Sequence, residues 1–128
     1  MELTSLVILV ALLQYFWFGT RTGLSRAKYG IEAPATVGNE QWERLYRVQM
    51  NTLEQLIIFI PAAWIFGMYL SGTWVVAPGL LFIAGRQLYS YQYISDPATR
   101  GGGMTLTGLG NFAMILGGGA GVVMNLFG

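Results

Sequence analysis

Four apolar stretches leave this 128-residue chain few folds to choose from. They run from about Leu3 to Gly19, Leu45 to Leu70, Trp74 to Ile94 and Leu106 to Phe127. Each comes near the ~20 residues that cross the roughly 30 Å hydrocarbon core of a bilayer. Inside lipid the backbone has no water to bond, so a span must satisfy its own N–H and C=O groups as a helix. The expectation is an all-α integral membrane protein, a bundle of four transmembrane helices forming a single domain over residues 1–128. Charge supports this, because only 10% of the residues are charged and 54% are hydrophobic, whereas soluble domains carry about 25% charged residues. The net charge of +1 and the lack of any basic run exclude a nucleic-acid partner.

The connections orient the expected bundle. A long polar loop from about Arg21 to Glu43 is broken by Gly23, Gly30, Pro34 and Gly38. Ser71-Gly72-Thr73 is a tight hairpin, and the third connection, Ser95 to Gly103, reads as a turn followed by a glycine run. Arg21, Arg26, Lys28, Arg44 and Arg47 lie in or beside the first loop, Arg100 lies in the third, and Arg86 lies toward the same end. The positive-inside rule then puts loops one and three in the cytoplasm and both termini outside. No basic residue precedes the first apolar run, which therefore reads as an uncleaved membrane helix rather than a secretory signal. Pro61 and Pro78 fall within spans, where a kink is tolerated. The Gly117-x-x-x-Gly121 spacing suits close helix packing, either within the chain or at a subunit contact.

The stretch Glu43 to Gln55 is the most demanding part of the chain. Arg47, Asn51 and Glu54 recur at i, i+4 and i+7 on one helix face, directly ahead of Leu56-Ile57-Ile58-Phe59-Ile60. Polar groups buried there without partners would cost several kcal/mol. A second cluster, Arg86, Tyr89 and Tyr93, has Arg100 seven residues further on, in the same stripe if the helix continues through Pro97. An ion pair of Glu54 with Arg47 or Arg86, locking two helices together, is one reading. Charge counting favours another: Arg47, Arg86 and Arg100 outnumber Glu54, with only Asp96 at the rim, so the surplus calls for an external anion. Arginine forks suit carboxylate, phosphate or thiolate. With no cysteine and no histidine, the chain has no thiol nucleophile, imidazole base or usual metal ligand, so no metal is expected. Tyr15, Tyr29, Tyr46, Tyr69 and Tyr91 read as interfacial tyrosines.

Glu43-Arg44-x-x-Arg47-x-x-x-Asn51-x-x-Glu54 resembles the signature of the MAPEG superfamily, membrane-associated proteins in eicosanoid and glutathione metabolism. Leu12-Leu13-Gln14, Ser25-Arg26-Ala27, Ala33-Pro34 and the Arg86, Tyr89, Tyr93, Arg100 series are similar to its glutathione transferase and leukotriene synthase branch. The resemblance implies a homotrimer of four-helix subunits, with glutathione as co-substrate bound between neighbours at the cytoplasmic end. By the same resemblance Arg26, Arg47, Gln49, Asn51, Glu54, Tyr89 and Tyr93 hold glutathione, and Arg100 stabilises its thiolate. It implies a membrane glutathione transferase in a bacterial inner membrane, acting on a lipophilic electrophile or lipid hydroperoxide. Three positions depart from the pattern. Gln55 stands where the synthases carry a tyrosine that contacts glutathione, Ala27 where leukotriene synthase has a second arginine, and Ser90 replaces an aromatic. A non-catalytic lipid-binding or scaffold protein of the same family is the alternative. A channel would place its charges near the midplane or along a pore, whereas these gather at one end.

Overall fold

The computed structural model describes all 128 residues, and every regular element is helical. The elements are α1 (Glu2–Leu24), α2 (Arg26–Tyr29), α3 (Glu40–Tyr69), α4 (Val76–Ser95) and α5 (Gly101–Phe127), with a 3-10 turn at Pro97–Thr99. The helices α1, α3 and α5 are long and apolar enough to cross a membrane. The helix α4 has 20 residues, but Arg86, Gln87, Gln92 and three tyrosines lower its hydropathy. It packs most extensively on α5, and α3 packs on α5 and α1.

Local chemistry sets the helix ends. Asn39 accepts a hydrogen bond from Trp42 N at 3.0 Å, and Glu40 and Glu43 occupy the first turn of α3, where carboxylates complement the helix dipole. The helix therefore starts five residues before the apolar run. Pro78 lies in the first turn of α4, where its missing N–H removes no helical bond. Gly30 closes α2 with φ 69°, a left-handed conformation that glycine adopts without penalty.

The glycine run expected to be loop is the first turn of α5, which begins at Gly101. A Cβ on Gly103 would collide with the Tyr89 backbone, so its absence lets α5 lie directly on α4. Gly117 and Gly121 serve the same purpose within the chain. A Cβ there would strike the Phe66 ring and, at 2.6 Å, the Tyr69 backbone. This spacing packs α5 on α3.

The main core gathers Val7, Ala11, Leu56, Phe59, Ala63, Phe66, Phe82 and Met114 from all four long helices. Phe59 and Phe82 stack with centroids 4.0 Å apart. A smaller cluster of Phe18, Val48 and Tyr89 lies toward the end that carries the basic residues. That end is where the polar chemistry collects.

Candidate functional site

The first half of α3 brings its polar series onto one face. Arg47 Nη2 and Glu54 Oε1 are 3.2 Å apart, across two turns, with their side chains 48% and 54% exposed. Asn51 lies between them, is buried, and points Nδ2 toward the same Glu54 oxygen at 3.5 Å. Its other amide atom, Oδ1, accepts from Arg86 Nη1 at 2.7 Å.

Arg86 is fully buried. Its Nε donates to Thr107 Oγ1 at 3.1 Å, Nη1 also reaches Thr52 Oγ1 at 3.3 Å, and Nη2 meets Met104 Sδ at 3.3 Å. Both threonine hydroxyls donate to carbonyls of their own helices, Val48 and Gly103, at 2.8 Å. Their oxygens are therefore turned to the guanidinium as acceptors. The Tyr89 ring lies 4.4 Å beneath it, adding a cation–π contact. The chain's salt bridges do not include Arg86. Counting it among the cations in need of an external anion is thus corrected: neutral acceptors and a ring already surround it. The ion pair that does form, Arg47 with Glu54, lies on one helix and half exposed, so it does not lock two helices together.

Tyr89 is 2% exposed and stacks on Tyr93 at 5.5 Å. Tyr93 lines an open pocket of about 410 Å³ together with Thr36, Glu40, Glu43, Arg44, Tyr46, Arg47 and Pro97. Arg100 is not on the Arg86 stripe, because α4 stops at Ser95 and Asp96 turns extended before Pro97. It stands at the start of α5, and its Nη1 donates to the Pro97 carbonyl at 2.7 Å. Of the expected residues, Arg47 and Tyr93 line the pocket; Arg100 does not and reaches only the carbonyl of Pro97, which does, while Asn51 and Glu54 lie one and two turns further along α3.

Arg26 and Gln49 do not line this pocket. The Arg26 guanidinium lies over Trp42 at 4.6 Å and donates to Ala35 O at 2.8 Å, while Gln49 packs against Gly19 of α1. Two of the departures also acquire partners. Gln55 Oε1 accepts from Asn111 Nδ2 at 3.2 Å, joining α3 to α5, and Ser90 accepts from Arg21 Nη2 at 3.0 Å.

Sequence reasoning gave no site role to Arg44, Glu43 or Thr36. Arg44 pairs with Glu40 at 2.8 Å and donates to the Ile94 and Ser95 carbonyls at 3.0 and 3.2 Å. It thereby closes the end of α4 over the pocket. The i,i+4 spacing of Glu40 and Arg44 was the available signal. Glu43 accepts from Gly38 N at 3.0 Å and pins the loop that carries Thr36. No group of three or more Asp, Glu, His or Cys residues gathers in a way that could hold a metal ion.

Residues 4–120 match the MAPEG family. An uncharacterised protein of Synechocystis sp. is 38% identical over 113 residues, covering 88% of this chain and 82% of its own length. Human microsomal glutathione S-transferase 2 is 33% identical over 113 residues, covering 88% and 76%. Leukotriene C4 synthase of Cavia porcellus is 28% identical over 98 residues, covering 77% and 65%.

Proposed function

The chain belongs to the MAPEG family, and from that membership we propose that it is a membrane-bound glutathione transferase. The single observation that carries this reading is the Arg47–Glu54 face. It presents a cation and an anion, both about half exposed, beside an amide fixed by Arg86 and a pocket shared with Tyr93. Glutathione has complementary groups: two carboxylates, one ammonium and two peptide bonds. Arg47 meets a carboxylate, Glu54 the ammonium, and Asn51 a peptide carbonyl, while Tyr93, backed by the buried Tyr89, borders the thiol.

The exposed apolar side chains Leu53, Ile57, Ile58 and Ile65 of α3 flank this face. A neighbouring subunit that covers them would also bring its own Arg26 and Gln49 to the ligand. The reading is therefore a homotrimer of four-helix subunits, with α4 as the fourth span and the site at the cytoplasmic end.

The family relatives named as glutathione transferases support a thiol chemistry that this cysteine-free chain cannot supply alone. A free thiol has a pKa of about 8.5, and an adjacent cation favours the thiolate. Arg100 holds that role. Lowering the thiol pKa by about one unit corresponds to ~1.4 kcal/mol of thiolate stabilisation. The thiolate sulfur forms a bond to an electrophilic carbon, the leaving group departs with its electron pair, and the thiol proton passes to solvent. Lipophilic electrophiles reach the site from the membrane, and lipid hydroperoxides are further candidates. The test is conjugation of glutathione to a small aryl halide by the purified protein. Turnover above the uncatalysed rate supports the reading, and its absence in protein that binds glutathione supports the scaffold alternative.

A further inference from the structure

Arg21 is the basic residue of α1 and lies in its last turn. Its guanidinium does not extend along the helix toward water. It turns sideways into the seam between α1 and α4, where Nη2 donates to Ser90 Oγ at 3.0 Å and Cζ lies 4.9 Å from the Phe18 ring centroid. The Nε atom is enclosed and has no partner, while Nη1, which is not enclosed, makes no hydrogen bond. None of the chain's salt bridges includes Arg21.

The other arginines near this end are differently placed. Arg86 is surrounded by acceptors, Arg47 and Arg44 have carboxylates, and Arg26 and Arg100 each hold a backbone carbonyl. Arg21 is a half-buried cation held by a neutral hydroxyl, with Nη1 of its fork left accessible and unbonded. An arginine at the membrane end of a span, with no carboxylate partner and a fork only partly satisfied by protein, is a candidate site. A guanidinium edge suits phosphate oxygens, which accept from its nitrogens in a planar, charge-assisted geometry.

The surroundings indicate where the phosphate comes from. Trp17, one turn before Arg21, is 53% exposed, and Tyr91, beside Ser90, is 73% exposed. Exposed Trp and Tyr side chains collect at the headgroup depth of a bilayer. Further along the same flank of α1, Leu13 and Val10 are 67% and 41% exposed, the surface an acyl chain would cover. Gln14 closes the seam behind them through the Ile83 carbonyl at 3.0 Å and Gln87 at 3.2 Å. We propose that Arg21, oriented by Ser90 at the α1–α4 seam, seats the phosphate of an anionic phospholipid whose acyl chain lies along Leu13 and Val10. The site is built on α1 and α4 and uses no residue of the Arg47–Glu54 face.

Native mass spectrometry of the detergent-solubilised full chain, titrated with equal phosphatidylglycerol and phosphatidylcholine, tests this. The wild type retains phosphatidylglycerol preferentially. Arg21→Gln lowers that preference about fivefold, the factor a single basic residue near the surface contributes toward anionic lipid. Lys28→Gln, which removes an exposed rim cation instead, lowers it by less than Arg21→Gln does, and an equal fall in the two variants would overturn the proposal. Excess inorganic phosphate leaves the lipid adducts in place, since free phosphate lacks the acyl chain. Equal retention of the two lipids by the wild type, an undiminished preference in Arg21→Gln, or displacement by inorganic phosphate would each overturn the proposal. If Arg21→Gln loses its helical circular dichroism, Arg21→Lys carries the test. It keeps the charge and loses the planar fork, so its preference falls below that of the wild type, and a preference equal to the wild type overturns the assigned geometry.

Discussion

Arg86 and Asn51 meet across α4 and α3 through a 2.7 Å hydrogen bond from Nη1 to Oδ1. That bond fixes which way the Asn51 amide faces, leaving Nδ2 toward Glu54. A residue buried beneath the Arg47–Glu54 face thereby orients the amide that lies within it.

Arg86→Met separates positioning from stability. Thr52 and Thr107 keep their bonds to Val48 and Gly103, so Asn51 Oδ1 is the acceptor that loses its principal donor. Replacing a buried charge with an apolar side chain of similar length is often tolerated. The expected result is a melting temperature within a few degrees of the wild type and a KM for glutathione raised about fivefold, the scale of one neutral hydrogen bond. A variant with normal KM would show that Arg86 only fills space.

Glu54→Gln tests the exposed pair with Arg47. Half-exposed ion pairs contribute about 0–1 kcal/mol to stability, so thermal unfolding in detergent changes little. Glutathione affinity by calorimetry falls by roughly tenfold, because the ligand ammonium loses a charged partner. A stability loss of several kcal/mol with unchanged affinity would make the pair structural.

Two glycines in the same helix give opposite predictions. Gly103→Ala places a methyl group against the Tyr89 backbone and destabilises by about 1–3 kcal/mol through overpacking. Gly108→Ala meets nothing within 4 Å and is neutral or stabilising by up to ~1 kcal/mol, the difference in helix propensity. Thermal melts of both variants read the difference, and equal effects would contradict the close packing of α4 on α5.

What could be read in the sequence follows what is local. The spans of α1, α3 and α5, the Arg47–Asn51–Glu54 face and the family itself were visible because periodicity and motif spacing are properties of neighbouring residues. The role of Arg86 was not. Its acceptors come from Asn51, Thr52, Met104 and Thr107, none adjacent to it in the chain, and charge counting takes no account of neutral oxygens. Arg100 lies off the Arg86 stripe because α4 ends at Ser95, the break that Pro97 already allows in the sequence. The glycines at 101–103 read as loop because their low helix propensity is evident in sequence, while the close approach of α5 to α4 that needs them is tertiary. Ser90 and Gln55 read only as departures until Arg21 and Asn111 appeared opposite them.

The proposed transferase activity requires a glutathione thiolate held beside Arg100. The direct measurement is the ultraviolet absorbance of the thiolate when glutathione is added to purified protein at neutral pH, made on the wild type and on Arg100→Ala. The wild type is predicted to show the thiolate band. Arg100→Ala is predicted to bind glutathione by calorimetry while losing most of the band and of the turnover. A wild type that binds glutathione without a thiolate band, or an Arg100→Ala variant with an undiminished one, would contradict the account.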